Sequence, residues 1–219
     1  EKLSGQAPTM HAEKRMAEVR DQVSRNLTGL VPDDWLQEHL ATMTESYLLT
    51  TSVERIIEHL RAIHKLPAAN VQATGTYDPQ TDVTAYTVYT FDNITPGLFS
   101  KIAGVLAAKG LQILSAPIAT FKDGVVVDRF EVLDYDFDGE PPKLRLNDVC
   151  ATIAQVLRGE REIESLFAHS SRIGPRYQPQ AGAIEEATQV KIDNDTSDNA
   201  TIIEVFTNDR QGLLYVITR

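Results

Sequence analysis

Thr84-Ala85-Tyr86-Thr87-Val88-Tyr89-Thr90-Phe91 runs straight into Asp92-Asn93-Ile94-Thr95-Pro96-Gly97-Leu98-Phe99, and the change of character between the two halves decides the fold. The first half is almost wholly β-branched or aromatic, the types that pack well on a pleated surface. The second opens with polar turn formers. Thr95 can then cap a helix, and Pro96 fits its first position. Leu98, Ile102, Val105 and Leu106 recur at helical spacing, and Gly110 stands where a helix C-terminus favours glycine. A strand therefore passes through a tight polar loop into a helix of about four turns.

Working outward, Leu111 to Phe121 reads as a strand, Lys122-Asp123-Gly124 as a hairpin turn, and Val125 to Leu133 as the returning strand. After Pro141-Pro142, the residues Leu146, Val149, Cys150, Ile153, Ala154 and Leu157 predict a second amphipathic helix closed by Gly159, and a short strand is expected near Ile163 to Phe167. The order from Val83 is β-α-β-β-α-β, a ferredoxin-like α+β unit with an antiparallel sheet and both helices on one face. Residues 71–77 supply a preceding strand, joined through the turn signal Asp78-Pro79-Gln80. Upstream lies a small helical segment. Met16, Val19, Val23 and Leu27 form one stripe; Asp33 or Asp34 can cap a helix carrying Trp35, Leu36 and Leu40; Ser52 caps a third with Val53, Ile56, Ile57, Leu60 and Ile63. Pro67 ends it.

At Thr188 the pattern restarts. Val190 to Asp193 is strand-like, Asp195 to Asn199 a turn, Thr201 to Thr207 a strand, and Asn208-Asp209-Arg210-Gln211-Gly212-Leu213-Leu214 opens a helix. Gly97 and Gly212 stand 115 positions apart in matching contexts, which points to tandem domains. The division expected is 1–68 helical segment, 69–168 first unit, 169–187 linker, and 188–219 the start of a second, partial unit. The chain opens at Glu1 rather than Met and closes just after a helix begins, so a piece of a longer protein is expected.

Composition excludes several classes. Of 219 residues 42% are hydrophobic and 24% charged, ordinary for a globular protein, and the formal net charge is −10. Such acidity disfavours nucleic acid and anionic membrane surfaces, both of which need Lys and Arg. The single cysteine, Cys150, excludes an internal disulfide and a Cys/His zinc pattern and reads as core. No run approaches the roughly 18 apolar residues of a membrane span and no signal peptide is visible, so a cytoplasmic protein is expected. His11, His39, His59, His64 and His169 are scattered and read as surface or boundary residues, not ligands.

The strand–loop–glycine–helix corner carries the chemical content. A helix N-terminus leaves amide N–H groups without acceptors and carries partial positive charge, which suits a carboxylate. Gly97 and Gly212 let backbone approach a ligand closely, and Asp or Asn beside them can take an ammonium group. One such corner is often only a capped turn; two in matching contexts favour recognition of a free amino acid.

On these residues, 83–134 and 201–219 resemble ACT domains. Pro96-Gly97-Leu98-Phe99-Ser100-Lys101-Ile102-Ala103 and Asn208-Asp209-Arg210-Gln211-Gly212-Leu213-Leu214-Tyr215, in tandem after helices, are similar to the C-terminal part of the bifunctional protein-PII uridylyltransferase/uridylyl-removing enzymes. In that family a nucleotidyltransferase domain and a metal-dependent HD phosphohydrolase domain precede two ACT domains, and glutamine is thought to set which activity runs. The resemblance implies that residues 1–68 are the tail of an HD-type domain or a connector, and that PII is the partner. It implies an amino-acid ligand, glutamine, at Asp92, Asn93, Thr95, Gly97, Leu98, Gln112, Asn208, Asp209, Gly212 and Leu213, with ACT–ACT pairing within or between chains. The family loop reads Asp-Arg-Pro-Gly; here Ile94 replaces the acid of the first copy and Gln211 the Pro of the second, and Gln112 stands where Asn is usual. No nucleotidyltransferase Gly-Ser motif with paired Asp and no His-Asp dipeptide is present, so no catalytic residue, metal or cofactor is expected in these 219 residues, while the parent would use Mg. The alternatives are the regulatory module of another amino-acid-metabolism enzyme or regulator, and a purely structural dimerisation domain.

Overall fold

In the computed structural model, which describes residues 6–66, 70–170, 187–197, 200–208 and 212–219, the strand that opens the decisive stretch is the centre of the molecule. The elements in chain order are α1 (Gln6–Leu27), α2 (Asp33–Thr42), α3 (Glu45–Thr50), α4 (Val53–His64), β1 (Gln72–Asp78), β2 (Val83–Phe91), α5 (Leu98–Ala108), β3 (Gln112–Ser115), β4 (Ile118–Thr120), β5 (Val125–Leu133), α6 (Lys143–Leu157), α7 (Ile163–Ser170), β6 (Gln189–Asp193), β7 (Ile202–Phe206) and α8 (Leu213–Thr218). The architecture is α+β. An antiparallel sheet runs β1-β2-β5-β3, with β4 also on β5.

Alternation along β2 and β5 sends side chains to opposite faces, and both faces are covered. Tyr86, Val88, Phe130 and Val132 join Ile102, Val105, Leu106, Val149 and Ile153 in a core under α5 and α6, so both helices of the unit share one face as expected. Tyr89, Val125 and Val127 face the other way, with Phe121, and form a second core with Val23, Leu27, Leu36, Ile56 and Leu60 of the leading helices. A strand buried on both faces explains why β2 shows no hydrophobic–polar alternation.

Several local expectations change. The segment 163–167 is helix, not strand: Ile163, Leu166 and Phe167 lie at helical spacing, and the first two are buried against the α5/α6 core. The edge beside β2 that a last strand would take is held by β1, in seven-residue antiparallel register. Leu111 to Phe121 is two strands, because Ala116-Pro117 interrupts it and a proline offers no N–H to a ladder; a bulge lies between Ile113 and Ser115. Pro32, not Asp33 or Asp34, is the N-cap of α2. Thr44 caps α3, a helix without a sequence-level expectation. Ser52 caps α4 as read, its Oγ accepting from Arg55 N–H. α5 has 11 residues, about three turns, and ends in a Schellman motif: Gly110 (φ 80°) donates to Ala107 and Leu111 to Leu106. His59 is buried at 4% exposure and Cys150 is half-buried. Pro67 and most of the expected linker, 171–186, lie outside the described residues; 169 and 170 belong to α7.

The repeat is visible at atomic detail. Asp78 accepts from Gln80 N–H and the Thr81 hydroxyl in the β1–β2 turn; Asp193, 115 positions on, accepts from the Asp195 and Thr196 amides and the Thr196 hydroxyl in the β6–β7 turn. These bonds hold both carboxyls below the usual range.

Candidate functional site

Gly97 is the N-cap of α5 at φ 67° and ψ 35°, a left-handed conformation that glycine adopts without a Cβ penalty. Thr95 and Pro96 thus stand before the helix instead of capping and opening it. No side chain caps this end, and the first bond of the helix is Lys101 N–H to Gly97 C=O at 2.9 Å. The amides of Leu98, Phe99 and Ser100 are left without acceptors in the helix. The Ser100 hydroxyl donates to the Gly97 carbonyl at 2.9 Å, and the Lys101 ammonium to the Thr95 hydroxyl. Gly212 repeats the corner at φ 78°, with Val216 N–H on its carbonyl at 3.0 Å.

The loop thus brings together Asp92, Asn93, Thr95, Gly97 and Leu98. Asp92 and Asn93 are exposed, while Ile94, Leu98 and Phe99 pack on the core beneath. Gln112 is not part of this cluster. It pairs with Leu133 at the far end of β5, whereas the loop follows Phe91, which pairs with Val125. Eight strand steps separate the two ends, roughly 27 Å at about 3.4 Å per residue. Gln112 instead accepts from the Tyr135 hydroxyl. In the second copy Asn208 is exposed and Gly212 and Leu213 are half-buried; Asp209 and Gln211 lie outside the described residues.

The two corners meet through their helices. A Cβ on Gly104 of α5 would stand 2.9 Å from the Tyr215 ring of α8, and one on Gly212 would stand 3.5 Å from Cβ of Ala107. Tyr215 also stacks on Phe167, centroids 5.5 Å apart. Between the first turn of α5, the α6–α7 turn and α8 lies a cleft of about 290 Å³. Ser100, Lys101, Arg161, Glu162, Ile163 and Tyr215 line it, placing cationic and anionic groups around a partly apolar floor. Arg161, Glu162 and Tyr215 were not legible as site residues, because only the packing of α7 and α8 on α5 gathers them.

Two buried titratable groups lie outside the expected set. Asp128 of β5 is 3% exposed; burial pushes its carboxyl up to about 7, against a lowering hydrogen bond from the Ala119 backbone. His59 sits between the leading helices and the sheet, its Nδ1 2.7 Å from the Tyr47 hydroxyl and its ring edge-on to Tyr89; burial lowers it to about 4, with Arg55 and Arg129 acting in the same direction. Among the described residues no group of three or more His, Cys, Asp or Glu is placed to hold a metal ion, and no helix is long and apolar enough to cross a membrane.

An antiparallel α+β sheet with a strand–glycine–helix corner built twice, at Gly97 and Gly212, defines the class of fold. Comparison with known proteins places it further. No family model matches the chain. It is 34% identical over its whole length to the bifunctional uridylyltransferase/uridylyl-removing enzyme of Gluconobacter oxydans, 30% over 94% to that of Rhodospirillum rubrum, and 33% over 85% to that of Rhodopseudomonas palustris. The chain is thus homologous to a segment of the bifunctional uridylyltransferase/uridylyl-removing enzymes. It spans 23%, 22% and 20% of those three proteins.

Proposed function

We propose that this chain is the amino-acid-sensing, ACT-type part of a uridylyltransferase/uridylyl-removing enzyme acting on the PII signal protein, with glutamine as its ligand. The observation that carries the reading is the twice-built corner: a strand, a polar loop, a left-handed glycine and a helix start with no side-chain cap. Such a start suits the carboxylate of a free amino acid. Asp92 and Asn93, or Glu162 across the cleft, suit the ammonium group, and the cleft beside Ser100 is of a size for one small zwitterion. Residues 69–168 and 188–219 form the two sensing units in this reading, 169–187 joins them, and 1–68 connects them to the catalytic domains of the parent, where Mg would act. The contact of Tyr215 on Gly104 begins their pairing. The setting is cytoplasmic.

Titration calorimetry of the chain with the common amino acids tests the proposal. L-Glutamine should give saturable heat, and Gly97→Val, which places a β-branched residue at positive φ, should abolish it while the chain stays folded. Silence from every amino acid would overturn the sensing role.

A further inference from the structure

We infer that the β4–β5 hairpin, Phe121 to Val125, is a joint that couples the 92–97 loop to the corner between α2 and α3. The hairpin is closed on itself by Phe121 N–H to Val125 C=O at 2.8 Å and Gly124 N–H to Phe121 C=O at 3.0 Å. Bonds leave this short turn in two directions. Toward the loop, the Gly124 carbonyl accepts from Asp92 N–H at 2.9 Å. Gly124 holds φ 82°, and a Cβ there would stand 2.9 Å from Oδ1 of Asp92, so the loop lies directly against the turn.

Toward the helices, Lys122 N–H donates to the Thr42 carbonyl at 3.0 Å, and the Thr42 hydroxyl, which bonds the His39 carbonyl at 2.8 Å, shares its proton with Oδ2 of Asp123 at 3.2 Å. The other oxygen of Asp123 accepts from Val125 N–H at 3.1 Å, so one carboxylate ties the hairpin both to itself and to α2. Nε2 of His39 faces the same Oδ2 at 3.7 Å; its Nδ1 is 2.9 Å from the Trp35 carbonyl, and its ring stacks on Trp35 at 4.1 Å. Phe121, 2% exposed, meets the Tyr47 ring of α3 edge-on at 4.9 Å. A turn this short, pinned on both sides, passes a displacement of Asp92 to Thr42 and Tyr47 with little slack. The coupling gives the candidate loop a route into the leading helices. It rests on the sensing proposal only for what would move the loop.

Site-resolved amide exchange on the whole chain tests the joint without any ligand. Thr42→Val removes the hydroxyl's contact with Asp123 together with its bond to His39 within α2, and touches nothing in the loop. The matched control is Thr50→Val, whose hydroxyl donates only to its own helix at Ser46 C=O. Thr42→Val should speed exchange of the Asp92 and Ile94 amides by about three- to tenfold, the scale of one ordinary net hydrogen bond. Thr50→Val should leave them within twofold. In reverse, Gly124→Ala should speed exchange at Lys122 and in the last turn of α2. Loop exchange unchanged in Thr42→Val, or changed equally in Thr50→Val, would overturn the joint and leave amino-acid sensing standing; a chain that binds no amino acid yet shows the coupling would do the converse.

Discussion

Single residues hold the most testable electrostatics. His59 is neutral in its buried site, and its folded value near 4 lies below the usual value of about 6.5. The unfolded chain therefore takes up the proton first as pH falls. The stability this site contributes is complete above pH 6.5 and is lost down to pH 4, about 3 kcal/mol in all. Asp128 works in the opposite sense. Its folded value of about 7 exceeds the usual value near 3.9, so its contribution is complete below pH 3.9 and is lost as pH rises through 7. Between pH 4 and 6.5 the two slopes oppose each other. Denaturant melts across that window should be shallow in pH for the parent chain. Asp128→Asn should uncover a stability that rises with pH, and His59→Gln one that falls. Parallel profiles for both variants would remove the assignment. Neither group was legible as buried: His59 shares an amphipathic helix with exposed His64, and Asp128 shares its strand with Arg129 and Glu131, so that only the assembled sheet reveals its burial.

The elements divide by whether their signal is local. The strand-to-helix corner at 83–108, the hairpin at 122–124, α6 and its Gly159 closure, and the Ser52 cap follow from nearest-neighbour chemistry, and all are present. What failed turned on tertiary competition or on an overlooked breaker. Pro117 was in plain view and splits the strand after Leu111. Ile163, Leu166 and Phe167 already carried the helical period, and β1 supplies the edge beside β2 from the front of the unit. Two predictions belong here. Phe130→Ala, at 0% exposure beneath Phe99, should cost about 3–5 kcal/mol in equilibrium unfolding, whereas Leu144→Ala, at 83% exposure, should cost under about 0.5 kcal/mol. Gly104→Leu should leave the first sheet intact but drive Tyr215 off α5, which tyrosine-ring NMR shifts would report; an unmoved Tyr215 signal would show that α8 does not dock there.

At the scale of the molecule, the leading helices and the sheet are packed through one core, where Tyr47, His59, Tyr89 and Phe121 meet. That packing was not legible, because amphipathic helices show that they need a partner and not which one. Of the residues expected at the site, Asp92, Asn93, Thr95, Gly97 and Leu98 lie in one loop, Gln112 is carried by the direction of β3 to the opposite end of the sheet, and Asp209 lies outside the described residues. The segment matched in the uridylyltransferase/uridylyl-removing enzymes covers the helices as well as the repeats, in keeping with one transmitted unit. The central claim, that the uncapped start of α5 receives an amino acid, is met most directly by an amide NMR titration of the chain with L-glutamine. The account predicts saturable shifts concentrated at Leu98, Phe99 and Ser100. A spectrum that does not move, or one that moves only at the β1–β2 turn or around Gln112, would contradict it.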